Sequence, residues 1–325
     1  MKTARVAIAV VFVWLISISA FSAGSRLSVK AIGMTVSDID RSVAFYTQLL
    51  AFEKISDVEV AGPDYEHLEG VFGLRMRVVT LKLGAEQLVL TQYLASRGRA
   101  FPADSRSNDR WFQHAAIVVS DMDRAYARLR ENRVEYASTE PETLPAWNKA
   151  AGGIRAFYFH DPDEHFLELI EFPAGKGDPR WLRDDGRLFL GIDHSAIVVG
   201  DTGRSEAFYR DLGFHVAGGS ENYGDEQEHL NNVFGARLKI TSMRTESGPG
   251  IELLEYLAPR DGRPMPPDVR PNDIVFWNVV IAGPDALIVQ KLGAEPVATP
   301  HRELGFEKAA IVRDPDGHAM ELVEQ

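Results

Sequence analysis

The sequence predicts an α+β protein built from four copies of one βαβββ module. Its 325 residues suffice for about two domains. The stretch RSVAFYTQLLAF that begins at Arg41 returns as RSEAFYRDLGF at Arg204, and EHLEGVFG at Glu66 returns as EHLNNVFG at Glu228. Because the matches extend through the Pro-rich connections, the second half of the chain is a duplicate of the first. Each half divides again into two similar modules.

Each module opens with an apolar run that predicts a buried strand: KAIGMTV, QHAAIVV, DHSAIVV or WNVVIAG. A helical stretch follows, and in the first module Val43, Tyr46 and Leu50 share one helical face, with Asp38 placed to cap the helix. Further strands lead to a final one: QLVLTQY, FLELIEF, IELLEYL or AMELVEQ. This order is typical of an α+β fold with helices against one face of a sheet.

Modules two and four reach their last strand through tight turns, DPDEH at Asp161 and DPDGH at Asp314. Glu164 stands where the second turn has Gly317. A left-handed backbone at Glu164 is therefore expected to be mildly strained. The histidines that end the turns, His165 and His318, are expected to pack within them.

Composition narrows the possible functions. The formal charge is −12 without a Lys/Arg-rich run, which argues against binding to nucleic acid backbones. Cysteine is absent, so disulfides and thiolate metal ligands are excluded. A metal site in this chain would have to use His, Asp, Glu or amide oxygen.

The N-terminal residues 1–24 predict a signal peptide. Lys2 and Arg5 form a basic segment, residues 6–21 are uncharged and mostly apolar, and small residues follow at 22–24. The apolar run is shorter than the ~20 residues of a spanning helix. We therefore expect a periplasmic or secreted protein, with an N-terminal membrane anchor as the alternative.

The HxAIVVxD opening, the AFY helix, the DPDGH turn and the ELxE closing strand together resemble the vicinal oxygen chelate superfamily. This group includes glyoxalase I, methylmalonyl-CoA epimerase, fosfomycin-resistance proteins and extradiol dioxygenases. The resemblance covers nearly the whole chain after residue 24. It implies a glyoxalase-like fold of two half-barrel domains, 25–180 (modules one and two) and 188–325 (modules three and four).

The resemblance also implies where a metal would bind. Members take a ligand, usually His, from a module's first strand and another, usually Glu, from its last. Modules two and three carry both ligands, whereas modules one and four depart from the pattern. The residues at these positions are His114 and Glu168, His194 and Glu252, Ala31 and Val89, and Asn278 and Glu321.

The pairing of modules decides which residues share a site. If modules two and three pair, His114, Glu168, His194 and Glu252 form one complete set for a divalent ion such as Zn, Ni, Co, Mn or Fe. Modules one and four then form an empty partner. If neighbouring modules pair instead, Glu321 and Asn278 join His194 and Glu252.

This ligand set implies an isomerase, epimerase or lyase acting on a small substrate that chelates through two vicinal oxygens. Glu168 or Glu252 would be the general base. The alternatives are a small-molecule binding protein without catalysis and a purely structural protein. Extradiol dioxygenase activity is disfavoured, because the second histidine of such enzymes belongs where Asn278 stands. A monomer or homodimer is expected.

Overall fold

The computed structural model describes residues 27–183, 185–283, 286–299 and 304–324, and the predicted signal peptide lies outside these ranges. Each module has the predicted order of a strand, a helix and further strands. The helices are α1 (Ile39–Ala44), α2 (Pro63–Glu69), α3 (Met122–Glu131), α4 (Thr202–Leu212), α5 (Asp225–Asn231) and α6 (Ala286–Lys291). Among the described residues, no helix is long and apolar enough to span a membrane.

The strands number four per module. Modules one and two contain β1 (Ser28–Thr35), β2 (Glu53–Ala61), β3 (Arg75–Leu83), β4 (Glu86–Tyr93), β5 (Gln113–Val119), β6 (Glu142–Thr143), β7 (Arg155–His160) and β8 (Phe166–Glu171). Modules three and four contain β9 (Phe189–Val198), β10 (His215–Tyr223), β11 (Arg237–Arg244), β12 (Gly250–Ala258), β13 (Trp277–Ala282), β14 (Val297–Ala298), β15 (Lys308–Arg313) and β16 (Ala319–Glu324).

The first helix of modules one, two and three starts at an aspartate. The predicted cap of α1, Asp38, accepts a hydrogen bond from the backbone N–H of Arg41, and Asp121 and Asp201 cap α3 and α4 in the same way. The helical turn after α1 widens to a π-helix over Phe45–Leu49. This helix buries its predicted apolar face against the sheet.

The strands form two curled eight-stranded sheets, and each sheet takes its modules from both halves of the chain. The first sheet has the order β14-β15-β16-β13-β1-β4-β3-β2 and joins modules four and one. The second has the order β10-β11-β12-β9-β5-β8-β7-β6 and joins modules three and two. The first strands of the two modules meet antiparallel at the centre of each sheet. This is the crossed pairing of the two considered above.

All four modules share one register between the first and last strand. The residue opposite the first-strand ligand position stands two places before the last-strand position. The opposed pairs are Ala31 with Gln87, His114 with Phe166, His194 with Gly250, and Asn278 with Ala319. Because side chains alternate along a strand, both positions of a module lie on one sheet face.

The apolar core consists of several clusters, and some of them combine residues from both halves of the chain. One core cluster combines α1 and α3 with strands of modules one and two, and its fully buried members include Tyr46 and Phe157. Another joins modules three and four around Tyr209 and Ile281. A third cluster joins module two with modules three and four, so the core as well as both sheets crosses the boundary predicted between residues 180 and 188, which stays a prediction.

The two tight turns hold their histidines inside, as expected. Nδ1 of His165 lies 2.9 Å from Asp161 Oδ2, and its Nε2 lies 2.8 Å from the carbonyl oxygen of Ile274. His318 contacts Asp314 in the equivalent way at 3.0 Å. Glu164 has φ 71°, so the predicted left-handed backbone is present.

Candidate metal centre

Three predicted ligands meet on one face of the second sheet. His114 on β5, Glu168 on β8 and His194 on β9 each place one ligand atom within 4.8 Å of the other two. Glu168 Oε2 lies 3.1 Å from His114 Nε2 and 3.5 Å from His194 Nε2. Ligand atoms ~2.1 Å from a tetrahedral or octahedral ion lie about 3.0–3.4 Å apart. The observed separations therefore fit a single divalent ion.

The fourth predicted residue, Glu252 on β12, stands beside this cluster. Its Oε2 lies 3.5 Å from His194 Nε2. The Glu252 side chain is 23% exposed, whereas that of Glu168 is 6% exposed. Glu252 is not one of the three mutually close groups. The two glutamates therefore differ, because Glu168 is enclosed by both imidazoles and Glu252 opens to the cavity.

His114 is a buried imidazole without a hydrogen bond. Neither ring nitrogen has a hydrogen-bond partner among the described residues, although Nε2 lies close to Glu168. The ring packs against Tyr158 and Phe112, with centroids 4.9 and 5.5 Å away. Burying an unpaired polar nitrogen costs free energy. A metal ion bound by Nε2 would supply the missing partner, so this residue fits a ligand role.

His194 is oriented by a group that sequence reasoning missed. Asp193 Oδ2 accepts a hydrogen bond from His194 Nδ1 at 3.0 Å, and its carboxylate also accepts from Trp181 Nε1 and Arg244 Nη2 at 2.7 and 2.6 Å. A carboxylate acceptor on Nδ1 leaves Nε2 as the ligand atom. The sequence signal for this contact is an aspartate directly before a strand histidine. Regular alternation along the strand, however, places the Asp193 side chain on the sheet face opposite to that of His194.

The charges at the site favour a cation. Burial alone would lower the pKa of His194, but the carboxylates of Glu252, Asp193 and Glu168 raise it above its usual value. Burial opposes ionisation of Glu168, yet the two imidazoles hold its pKa below the usual range. Arg244 balances Asp193, so the carboxylates of Glu168 and Glu252 remain beside the two imidazoles, and a divalent ion would compensate their negative charge.

The cluster opens into a cavity of about 840 Å³ between β5, β8, β9 and the strands of module three. Ser220, Asn222 and Ser242 supply polar lining, and Leu144, Ile240 and Leu254 supply apolar lining. A cavity of this size, with a few convergent polar groups, is typical of a small-molecule site.

The equivalent face of the first sheet is different. Ala31 and Val89 offer no ligand atom, and the Nδ2 of Asn278 donates a hydrogen bond to Glu321 Oε2 at 2.9 Å. Among the described residues, three or more His and carboxylate groups come close enough together to hold a metal ion only in the second sheet.

Comparisons with known proteins identify the family of the chain. Residues 28–169 and 191–322 match the family described as the Glyoxalase/Bleomycin resistance protein/Dioxygenase superfamily. A 2-epi-5-epi-valiolone epimerase of Actinomyces sp. is 32% identical over 154 residues, which is 46% of this chain and 81% of the relative.

Two solved structures share the fold over most of the chain. Glyoxalase I from Zea mays has a TM-score of 0.57 at 17% identity, with 92% of each chain covered. A Bacillus subtilis protein described as a dioxygenase has a TM-score of 0.55 at 14% identity, covering 93% of this chain and 86% of that one. At these identities the likeness concerns the fold alone.

Proposed function

Because the chain belongs to the glyoxalase/bleomycin resistance protein/dioxygenase superfamily, we propose that it is a divalent-metal-dependent isomerase or epimerase. Its substrate would be a small molecule with two neighbouring oxygens. The observation that carries the proposal is the convergence of His114, Glu168 and His194 at the base of an open cavity. The relative that is 32% identical bears the name of an epimerase, which supports this reaction class.

The proposed roles follow from how enclosed each side chain is. His114, His194 and Glu168 would hold the ion, because all three are buried and mutually close. The ion, when bound, would act as a Lewis acid toward the substrate oxygens. Glu252 would take a proton from the carbon beside those oxygens, since its carboxylate is more exposed to the cavity than that of Glu168. Return of that proton by Glu252 to a neighbouring carbon would complete an isomerisation. An epimerisation would instead need a second acid to give a proton to the opposite face of the same carbon, after which Glu252 would lose its proton to solvent.

Two other activities use the same residues. Lyase chemistry begins with the same proton removal, followed by loss of a leaving group from the adjacent carbon. An iron-dependent oxygenase needs two histidines and one carboxylate, which His114, His194 and Glu168 supply. The argument against it from Asn278 does not apply, because Asn278 lies in the other sheet. Glu252 favours the proton-transfer reaction, because it adds a carboxylate beside the three ligands that can accept the proton.

We also propose that the protein is exported. The support is the basic, apolar and small-residue pattern of residues 1–24. N-terminal sequencing of the protein recovered from the cell envelope or medium tests this independently of the chemistry. A free N-terminus near residues 22–25 is expected, and recovery of the intact N-terminus in the cytosol would contradict export.

Elemental analysis is the decisive first experiment for the site. The protein, purified without chelator or metal-binding tag, should contain about one Zn, Ni, Co, Mn or Fe ion per chain. The metal-loaded protein should then exchange the carbon-bound proton of hydroxy-ketone substrates in D2O, observed by NMR. Glu252→Gln should lose this exchange while keeping the metal. Failure to bind any of these ions, or unchanged exchange in Glu252→Gln, would overturn the proposal, and iron with oxygen consumption would favour the oxygenase.

A further inference from the structure

The first sheet encloses a second cavity at the place where the second sheet has the candidate metal centre. It measures about 360 Å³ and is lined by β1, β3, β4, β13 and β16. This volume lies within the range of small-molecule sites. Ala31 and Val89 offer no ligand atom at two of the four corresponding positions, and larger side chains do not fill the space between the strands.

Two carboxylates from different elements face this cavity. Glu69 comes from the end of α2 and Glu321 from β16. Tyr93 donates a hydrogen bond to Glu69 Oε2 at 2.9 Å, and Asn278 donates one to Glu321 Oε2 at 2.9 Å. Glu321 is only 9% exposed. Both partners are neutral, so they orient the carboxylates without balancing their charge.

No described residue supplies a cation to this pair. The lining contains four ionisable side chains, namely Lys30, Glu69, Tyr93 and Glu321. Lys30 is exposed, and no ion pair within 4.0 Å joins a described basic residue to either glutamate. Burial raises the pKa of Glu69 to about 7, and burial together with the Glu69 charge raises that of Glu321 to about 8. A cation bound between them would stabilise both ionised forms.

The position of Glu321 is fixed by a close packing arrangement. Asn278 lies directly opposite Gly33 in the sheet, and a Cβ at residue 33 would stand 1.8 Å from Asn278 Oδ1. The corresponding residue opposite His194 in the second sheet is Ala116, which has a Cβ. Glycine at 33 therefore makes room for the amide that holds Glu321 in the cavity.

The rest of the cavity is suited to hydrocarbon. Its wall is formed by Met34, Met76, Val78, Phe276, Phe306 and Val323. Thioether and aromatic side chains pack well against an apolar body, and aromatic rings also attract organic cations. The cavity thus combines an acidic end with an apolar wall.

We propose that the cavity of the first sheet is a second, metal-independent binding site for a small organic ammonium ion. The ammonium group lies between Glu69 and Glu321, and the hydrocarbon part packs against Met76, Phe276 and the neighbouring apolar side chains. This site is separate from the candidate metal centre and does not depend on the activity proposed for it.

Isothermal titration calorimetry with benzylamine tests the site, using benzyl alcohol as the neutral probe of similar shape. Benzylamine should bind at pH 7.5, and benzyl alcohol should bind at least about tenfold more weakly. Glu69→Gln and Glu321→Gln should each weaken benzylamine binding about tenfold or more. Glu324→Gln is the matched control, because Glu324 lies on the same strand but pairs with Lys308 at 3.0 Å on the surface.

Two further variants locate the bound probe. The double variant Glu168→Gln/Glu252→Gln should keep benzylamine binding, which excludes the carboxylates of the larger cavity as the site. Val89→Phe should abolish binding by filling the cavity without changing its charge, with thermal unfolding as the check on folding. Equal binding of benzyl alcohol, unchanged binding in Glu321→Gln, or loss of binding in the Glu168→Gln/Glu252→Gln variant would each overturn the proposal.

Discussion

Asp193 and His194 are adjacent in the chain, yet Asp193 Oδ2 accepts a hydrogen bond from His194 Nδ1 at 3.0 Å. Neighbouring residues of a regular strand point to opposite faces. Here β9 contains a bulge, because Ala116 is opposite His194 whereas the next residue, Ile117, is opposite Ile192. The extra residue is Asp193. The bulge brings its carboxylate beside the imidazole that it orients.

Replacing Asp193 by Asn should weaken metal binding about 10–100-fold, because the neutral amide holds the imidazole less firmly and lowers its basicity. Affinity is measured by competition with a chromophoric chelator. Asp185→Asn is a suitable control, since Asp185 is exposed and its ion pair among the described residues is with the nearby Arg187. Equal affinities of the Asp193 variant and the unmodified protein would show that the bulge has no part in binding metal.

The sequence predicts the four first strands and the cap of α1 at Asp38. The repeats show which positions correspond, so they select His114, Glu168, His194 and Glu252 as candidate ligands, and whether these meet depends on how the modules pair. The sequence leaves the pairing of modules open, since both arrangements bury the same apolar runs. It also misses Asp193, because a bulge is a property of two paired strands and alternation along one strand gives the wrong face. Only the pairing of β5 with β9 shows that His114 and His194 share one sheet.

The crossed pairing of modules predicts which substitutions affect metal binding. His114→Ala and His194→Ala should each reduce affinity by at least about 100-fold, because each removes a ligand from the same cluster. Asn278→Ala, at the equivalent position of the first sheet, should leave affinity unchanged. Titration with Zn²⁺ or Co²⁺ followed by chelator competition measures these values. A loss in Asn278→Ala comparable to that in His114→Ala would contradict a single site in the second sheet.

The buried carboxyl of Glu321 should make the protein less stable as pH rises. Its pKa is about 8 in the folded protein against 4.5 as the ordinary value, so the folded state binds more protons between these limits. Stability from this group is complete below about pH 4.5 and is lost as pH rises through about 8. Glu321→Gln should match the unmodified protein near pH 5 and exceed it by a few kcal/mol, of the order of 3, near pH 9. Urea unfolding at both pH values measures this, and parallel pH profiles for the two proteins would contradict it.

The two tight turns allow backbone strain to be tested in both directions, because one has Glu and the other Gly at the equivalent left-handed position. Glu164 has φ 71° and the equivalent Gly317 has φ 103°. A side chain in this region costs about 1 kcal/mol, so Glu164→Gly should stabilise the protein by up to about that amount. Gly317→Glu should destabilise it by at least as much, since Met265 also lies 3.0 Å from the position of the new Cβ. Both effects are read from urea midpoints at an unchanged m value, and changes of the same sign in both variants would contradict the argument.

Asp109 should contribute far more to stability than the neighbouring Asp104, although both bind Arg263. Asp109 is fully buried and accepts hydrogen bonds from the Arg263 backbone and guanidinium at 2.7–3.0 Å, whereas the Asp104 side chain is 78% exposed. The duplicate of this contact joins Arg99 to the buried Asp273 in the other linker. Asp109→Asn should cost about 2 kcal/mol, because the buried side chain loses its charge-assisted hydrogen bonds while the part-exposed Arg263 keeps Asp104 and water, and Asp104→Asn less than about 1. Denaturant unfolding measures both, and equal losses would show that burial does not determine the strength of these linker contacts.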